Sequence, residues 1–130
     1  MRNYLKFEDL LGLTMESVVQ TTELSEDVII FKTTCGRTLK MEHIQDCCEG
    51  VYIESITGDL NDLVGKPILV AEEVTSHETP EGFEHEYEPE SQTWTFYKLA
   101  TSKGYVDIRW FGGSNGYYSE GVDLIEYTDK

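Results

Sequence analysis

Apolar, β-branched and aromatic residues occur along this chain in short runs separated by polar or glycine-containing turns. Such runs predict strands, and the turns predict antiparallel pairing. Two short helices are predicted to begin near Phe7 and Asp59 and to end at Gly12 and Gly65. The predicted strands cover residues 13–21, 27–33, 37–43, 51–56, 68–74, 93–101, 105–111 and 117–125. The predicted fold class is α+β and β-dominated, with about eight antiparallel strands in two meander-like sheets and two short helices.

The aromatic stretch 91–127 predicts a three-stranded meander. Its first turn is interpreted as the three-residue loop Ser102-Lys103-Gly104, and its second as the hairpin signal Asn115-Gly116. That loop would place Tyr97 opposite Arg109 and Phe96 opposite Trp110. One face would then be core, and the other would be aromatic and charged. This second face is interpreted either as a recognition surface or as a solvated face. A one-residue shift in the strand register would exchange the two faces. The predicted core face holds Trp94, Phe96, Ala100, Val106, Ile108 and Trp110, and the other holds Tyr97, Tyr105, Asp107, Arg109 and Phe111.

Two halves of the chain show a weak internal similarity within one domain of residues 1–130. Asp9-Leu10-Leu11-Gly12 aligns with Asp62-Leu63-Val64-Gly65, so residues 9–56 and 62–125 form a possible pseudo-repeat. Chance recurrence of common turn residues is the alternative. A true repeat predicts two four-stranded sheets related by an approximate twofold axis, with the turn at 45–49 as the counterpart of residues 112–115.

The charge balance excludes some classes of partner. The chain has 25 acidic and 10 basic residues and a net charge of −15, which argues against direct binding of nucleic acid or an anionic membrane. No apolar run of about 18 residues is present, which argues against a membrane span. Residues 76–90 are acidic and are expected to form a mobile, solvated loop, with His77 and His85 solvated. Strand 68–74 is expected to be buried on both faces, with one carboxylate of Glu72-Glu73 facing inward.

The segment from His43 to Glu49 concentrates groups that can carry chemistry, including Asp46, Cys47 and Cys48. Histidine and cysteine could bind zinc, but the Cys-x-x-Cys spacing of structural zinc sites is missing. A Cys–His nucleophile pair would lack an orienting partner. We expect reduced thiols, one of them buried, with Asp46 capping the turn. The expectation is therefore no metal, no cofactor and no enzymatic activity.

A second group of residues surrounds the glycine-rich stretch 112–116. Successive backbone N–H groups could bind an anion there, with Arg109 for phosphate and tyrosines for stacking on a base. A plain hairpin turn is the alternative. We regard the paired glycines Gly112-Gly113 as a functional signal, because glycine weakens a strand by roughly 0.5–1 kcal/mol. The candidate ligand-binding residues are Arg109, Trp110, Ser114, Asn115, Tyr117, Tyr118, His43, Asp46 and Glu49.

Several motifs together resemble a family of small bacteriophage proteins of uncharacterised function. These motifs are Gln45-Asp46-Cys47-Cys48-Glu49, Gly58-Asp59-Leu60, Pro67-Ile68-Leu69 with Ala71-Glu72-Glu73, Thr93-Trp94-Thr95-Phe96-Tyr97-Lys98, Ile108-Arg109-Trp110 and Ser114-Asn115-Gly116-Tyr117-Tyr118-Ser119-Glu120. The resemblance covers roughly residues 10–123 and carries over no catalytic residue. It implies an accessory phage protein in the cytoplasm of an infected bacterium, similar to counter-defence factors.

Three functions are open at this point. The first is a binder that sequesters a small nucleotide immune signal, in which case a homo-oligomer is expected. The second is an acidic inhibitor that docks on a basic host defence protein by nucleic-acid mimicry, through Glu78, Glu81, Glu84, Glu86, Glu88 and Glu90. The third is an enzyme that acts on a nucleotide or a sugar.

Overall fold

Strands dominate the computed structural model, which describes residues 2–85 and 89–128. The strands are β1 (Arg2–Leu5), β2 (Met15–Glu23), β3 (Glu26–Thr33), β4 (Thr38–Glu42), β5 (Gly50–Thr57), β6 (Val70–Ser76), β7 (Ser91–Thr101), β8 (Gly104–Ser114) and β9 (Asp123–Tyr127). Two single-turn 3-10 helices span Phe7–Leu10 and Leu60–Leu63. The predicted fold class is confirmed, and both helices lie where they were predicted. β1 was not predicted.

The strands form two antiparallel sheets that exchange one strand each. The first sheet has the order β1-β9-β4-β3-β2, and the second has the order β5-β8-β7-β6. In the first half of the chain, a short helix precedes β2, β3 and β4 of the first sheet, and the next strand, β5, joins the second sheet. In the second half, a short helix precedes β6, β7 and β8 of the second sheet, and the next strand, β9, joins the first sheet. The predicted pair of four-stranded sheets is corrected to one of five strands and one of four. Descent of the halves from a duplicated unit stays a prediction.

The predicted third strand of the meander, residues 117–125, is wrong. β5 pairs along the edge of β8, so no room remains there for a following strand. The chain after Ser114 instead crosses to the first sheet, where β9 pairs with β4 and β1. Asn115-Gly116 is thus the start of a crossover rather than a hairpin turn.

The register between β7 and β8 differs from the predicted one by a single residue. Thr101 pairs with Gly104, so the loop has two residues, and Phe96 lies opposite Arg109. The side chain of Thr101 donates to the carbonyl of Asp62 in the second helix, and the Lys103 ammonium donates to the carbonyl of Asn61 at 3.1 Å. These bonds to the second helix fix the short loop.

This register exchanges the two faces of β7, as a one-residue slip must. Tyr97 and Leu99 face the core, while Trp94 and Phe96 join Arg109 on the outer face of the second sheet. β8 keeps its predicted faces. The core between the sheets includes Leu10, Met15, Ile29, Phe31, Leu39, Met41, Leu63, Leu99, Val106, Ile108 and Trp110.

β6 forms an edge of the second sheet, which corrects the expectation that it is buried on both faces. Glu72 and Glu73 are both exposed, and the Val74 side chain is 60% exposed. A strand with charged groups at a sheet edge discourages pairing with other chains.

The acidic loop is packed where the structure describes it, which corrects the expectation of a solvated segment. The ring of Phe83 lies edge-on to that of Trp94 at 4.9 Å, and His85 lies 5.6 Å from Phe111. Gln92 organises the loop, because its Oε1 accepts from Trp94 and His85 and its Nε2 donates to the carbonyl of His77. Residues 86–88 of the predicted carboxylate fringe lie outside the described residues.

Candidate functional site

Two crossovers carry most of the predicted site residues. The first crossover, residues 43–49, connects β4 to β5, and the second, residues 115–122, connects β8 to β9. They touch where Nδ1 of His43 donates to the carbonyl oxygen of Gly121 at 2.7 Å. The two crossovers are therefore in contact, through residues outside the predicted rim, and the site itself stays a prediction.

A buried hydrogen bond between two side chains closes the first crossover. Nε2 of His43 lies 2.8 Å from Oε2 of Glu49, and both side chains are almost fully buried. The backbone N–H groups of Asp46 and Cys47 also donate to this carboxylate, at 2.8 and 2.9 Å. Both ring nitrogens of His43 are therefore within hydrogen-bond distance of an oxygen atom.

The carboxyl group of Glu49 is strongly acidic in this setting. Burial pushes its pKa up, but the donated backbone N–H bonds and the His43 imidazole outweigh burial and lower the pKa from 4.5 to about 2. Asp46 was expected to cap this turn, and Glu49 does so instead.

The two adjacent cysteines are joined in a disulfide, which corrects the expectation of reduced thiols. Both residues are exposed, so neither is the small buried hydrophobe that was predicted. Cys35 is free and also exposed. Within residues 2–85 and 89–128, no group of three or more His, Cys, Asp or Glu side chains is arranged to hold a metal ion.

A second buried glutamate closes the second crossover in a similar way. Glu120 is 8% exposed, and its carboxylate accepts from the hydroxyls of Ser114 and Thr93, the latter at 2.7 Å. Ser114 precedes Glu120 by six residues, which is also the separation of His43 from Glu49. Each crossover is thus fixed by a glutamate that bonds to a side chain at its start.

The glycines that looked like a functional signal have a structural reason. A Cβ on Gly112 would meet the carbonyl oxygen of Glu120 and would lie 2.8 Å from its Cβ. A Cβ on Gly113 would lie 3.1 Å from the ring of Phe111. The paired glycines therefore let the second crossover and an aromatic ring pack against β8.

The backbone N–H groups of the predicted anion site are already engaged within the chain. That of Gly116 donates to Oγ of Ser114 at 2.9 Å, and that of Tyr117 donates to Oδ1 of Asn115 at 3.1 Å. The Tyr117 side chain is 87% exposed, and Tyr118 is half-buried. The hydroxyl of Ser114 is likewise taken up by Glu120.

Arg109 and Trp110 point to opposite faces of β8, and neither joins the crossovers. The guanidinium of Arg109 forms a two-nitrogen ion pair with Glu54, with Nε at 2.7 Å, and it lies 5.5 Å from the ring centre of Trp94. Trp110 is 1% exposed in the core, so a ligand cannot reach it without a change in packing.

A large cleft lies at residues that were not predicted as a site. It has a volume of about 630 Å³ and opens between the first helix, β6 and β9. We call it the acidic cleft, because four carboxylates and one cation, Lys6, are among the described residues that line it. The carboxylates are those of Glu8, Glu72, Glu73 and Asp123, and the apolar floor includes Phe7 and Tyr97. Only Glu72-Glu73 had been noticed as a carboxylate pair.

Burial alters the titration of two groups in the acidic cleft. It raises the pKa of Asp123, against the opposing effect of His43. Burial, together with a hydrogen bond to Glu73, raises the pKa of the Tyr97 hydroxyl far above its usual range, so that this hydroxyl stays protonated. The cleft therefore offers carboxylates and a neutral hydroxyl, which suit a cationic group.

The Gly112→Ala variant should lower the free energy of unfolding by about 1–3 kcal/mol, because the new methyl group collides with the backbone of Glu120. Urea unfolding measures this difference. Gly50→Ala is the matched control, since no atom lies within 4 Å of its added Cβ, and it should change stability by less than about 0.5 kcal/mol. Equal losses in both variants would contradict the packing argument.

The Glu49→Gln variant should lose about 1–3 kcal/mol of stability at neutral pH, because the amide cannot accept all the bonds that the carboxylate accepts. The folded-state pKa lies below the ordinary value, so the carboxylate stabilises the fold fully above pH 4.5, and this contribution is lost as the pH falls to about 2. Urea unfolding should therefore show the gap between wild type and variant narrowing across that window. A gap that is independent of pH would refute the assignment, and the exposed Glu16→Gln variant should show no gap.

Comparisons with known proteins place the chain in a family without adding an activity. No curated protein and no solved structure gives a significant match. In the described part of the chain, no helix has the length and apolar character needed to cross a membrane. A family model described as a domain of unknown function, DUF7448, matches residues 8–124. Since this match spans most of its 130 residues, the chain belongs to the DUF7448 family.

Proposed function

We propose that the protein is a non-catalytic binding protein that docks its acidic surface on a basic partner protein. The observation that carries this proposal is that the net charge of −15 is combined with internal use of two of the three arginines. Arg37 pairs with Glu126 through two nitrogens at 2.9 and 3.0 Å, and Arg109 pairs with Glu54. Guanidinium groups are the usual partners of phosphate, and these two are engaged by the chain itself.

The same observation disfavours a nucleotide ligand at the crossovers. A phosphate group there would need donors, yet the N–H groups of Gly116 and Tyr117 and the hydroxyl of Ser114 already bond within the loop. A phosphate would have to replace these existing hydrogen bonds, and exchange of one hydrogen bond for another contributes little net free energy. Sequestration of a nucleotide signal is therefore the hypothesis against which this proposal is tested.

The acidic cleft is the part of the surface that best suits a cation. Its carboxylates outnumber its single lysine, and its floor is partly apolar. A lysine or arginine side chain could bury its methylene stem on Phe7 while its charged end meets Glu8 and Glu72. Complementary charge of this kind mainly increases association rate and specificity.

The proposed setting is the cytoplasm of a bacterium infected by a phage. The resemblance to small bacteriophage proteins supports this setting, and counter-defence proteins of that kind often act by binding a host defence protein. The partner class proposed is therefore a basic host defence protein.

Capture from a bacterial lysate tests the proposal when it is performed with two variants of equal charge. The Glu8→Gln/Glu72→Gln variant should lose a basic protein that the wild type retains, and raised salt should release that protein, since exposed charges are screened. The control variant, Glu16→Gln/Glu26→Gln, removes the same charge from β2 and β3 and should retain it.

Two results would count against the proposal. Retention of the same proteins by all variants would remove the acidic cleft from the interface. A rise in melting temperature with a nucleotide from a panel, without capture of any basic protein, would favour the sequestration hypothesis, because a ligand that binds the native state stabilises it.

A further inference from the structure

A second cleft is lined by aromatic rings. It has a volume of about 560 Å³, and the residues that line it include Cys48, Tyr52, Phe111 and the described residues Phe83, Glu84, His85 and Pro89. Four rings follow one another along it, and we call it the aromatic cleft. The centroid distances are 5.5 Å from Tyr52 to Phe111, 5.6 Å from Phe111 to His85 and 5.0 Å from His85 to Phe83.

The rings are held in place by packing and hydrogen bonds. Trp94 lies behind them and contacts Phe83 and Phe111 edge-on, each at 4.9 Å. His85 donates from Nε2 to Oε1 of Gln92 at 3.1 Å, and Gln92 is part of β7. Gly113 leaves space for the Phe111 ring, as described above. The aromatic cleft is therefore shaped before any ligand arrives.

The charges around the aromatic cleft favour a cation. Glu84 lines it, and no lysine or arginine is among the described residues of its lining. Aromatic faces carry negative potential that attracts cations, and arginine is the protein cation that stacks best on them. The chain already contains such an arrangement on the outer face of the same sheet, where Arg109 lies over Trp94 and pairs with Glu54.

We propose that the aromatic cleft binds an arginine side chain of the basic partner. The guanidinium plane would stack on the exposed ring of Tyr52, and its N–H groups would donate to the carboxylate of Glu84. The choice of an arginine carried by a protein rests on the proposed function. The aromatic cleft thus supplies a specific anchor, and the acidic cleft supplies general attraction.

Titration with three small probes, followed by shifts of the backbone amide signals in a ¹H–¹⁵N spectrum, tests this inference. The probes are N-acetyl-arginine amide, N-acetyl-lysine amide and N-acetyl-citrulline amide, which is the uncharged isostere of the first. The arginine probe should bind most tightly and shift the signals of Glu84 and Gly113. Citrulline binding as tightly as arginine, or no binding of the arginine probe, would overturn the inference.

Matched variants locate the binding. Tyr52→Leu and Glu84→Gln should each weaken binding of the arginine probe about two- to fivefold, as expected for a partly exposed cation–π or ionic contact. Tyr105→Leu and Glu81→Gln alter exposed residues away from the lining and should bind as the wild type does. Equal affinities across all four variants would show that the aromatic cleft is not the site.

The inference and the proposed function fail in different ways. If lysate capture depends on Glu8 and Glu72 while Tyr52→Leu binds every probe and partner normally, the arginine anchor is refuted and the proposed function stands. If the arginine probe binds at the aromatic cleft but no basic protein is captured, the cleft is an arginine site and the proposed function is refuted.

Discussion

The exchange of β5 and β9 between the two sheets is the constraint on which the rest of the structure depends. Each exchanged strand needs a chain segment that leaves one sheet and enters the other, and such a segment carries polar backbone groups close to the core. Glu49 bonds to two N–H groups and an imidazole in the first crossover, and Glu120 bonds to two hydroxyls in the second. Burial of a carboxylate is unfavourable on its own, and charge-assisted hydrogen bonds offset it. His43 then joins the crossovers, because it contacts both Glu49 and Gly121.

Local features of the fold could be predicted from the sequence, whereas several of its pairings could not. The short helices and most strands follow from apolar runs bounded by glycine and polar turns. β8 pairs with β5, which lies more than fifty residues earlier in the chain, and no local sequence signal predicts this pairing. The register of β7 depends on the contact of Thr101 with the second helix, and the edge position of β6 depends on what the other strands occupy. Each error therefore arose where distant segments compete for one position.

The candidate site shows the same division between local and distant information. The crossovers were predicted as a site because they are rich in functional groups, and His43 brings them into contact through Gly121. The side chains of His43, Glu49 and Ser114 form hydrogen bonds that close the crossovers. The two clefts are assembled from distant segments, with Glu8, Glu72 and Asp123 in one and Tyr52, Phe83 and Phe111 in the other. No spacing pattern marks such sets, and only the adjacent pair Glu72-Glu73 gave a partial signal.

The interior position of β9 in the first sheet also governs how the chain can fold. β9 lies between β1 and β4, and its Tyr127 bonds to Glu42, 85 residues earlier. Contacts between such distant residues slow folding, because a long loop must close before they form. During synthesis the first sheet lacks this interior strand until residues 123–127 emerge from the ribosome, and the edges of β1 and β4 that pair with β9 stay open until then. Open strand edges are prone to aggregation, so a chain of this topology is most exposed to misassembly before β9 is available.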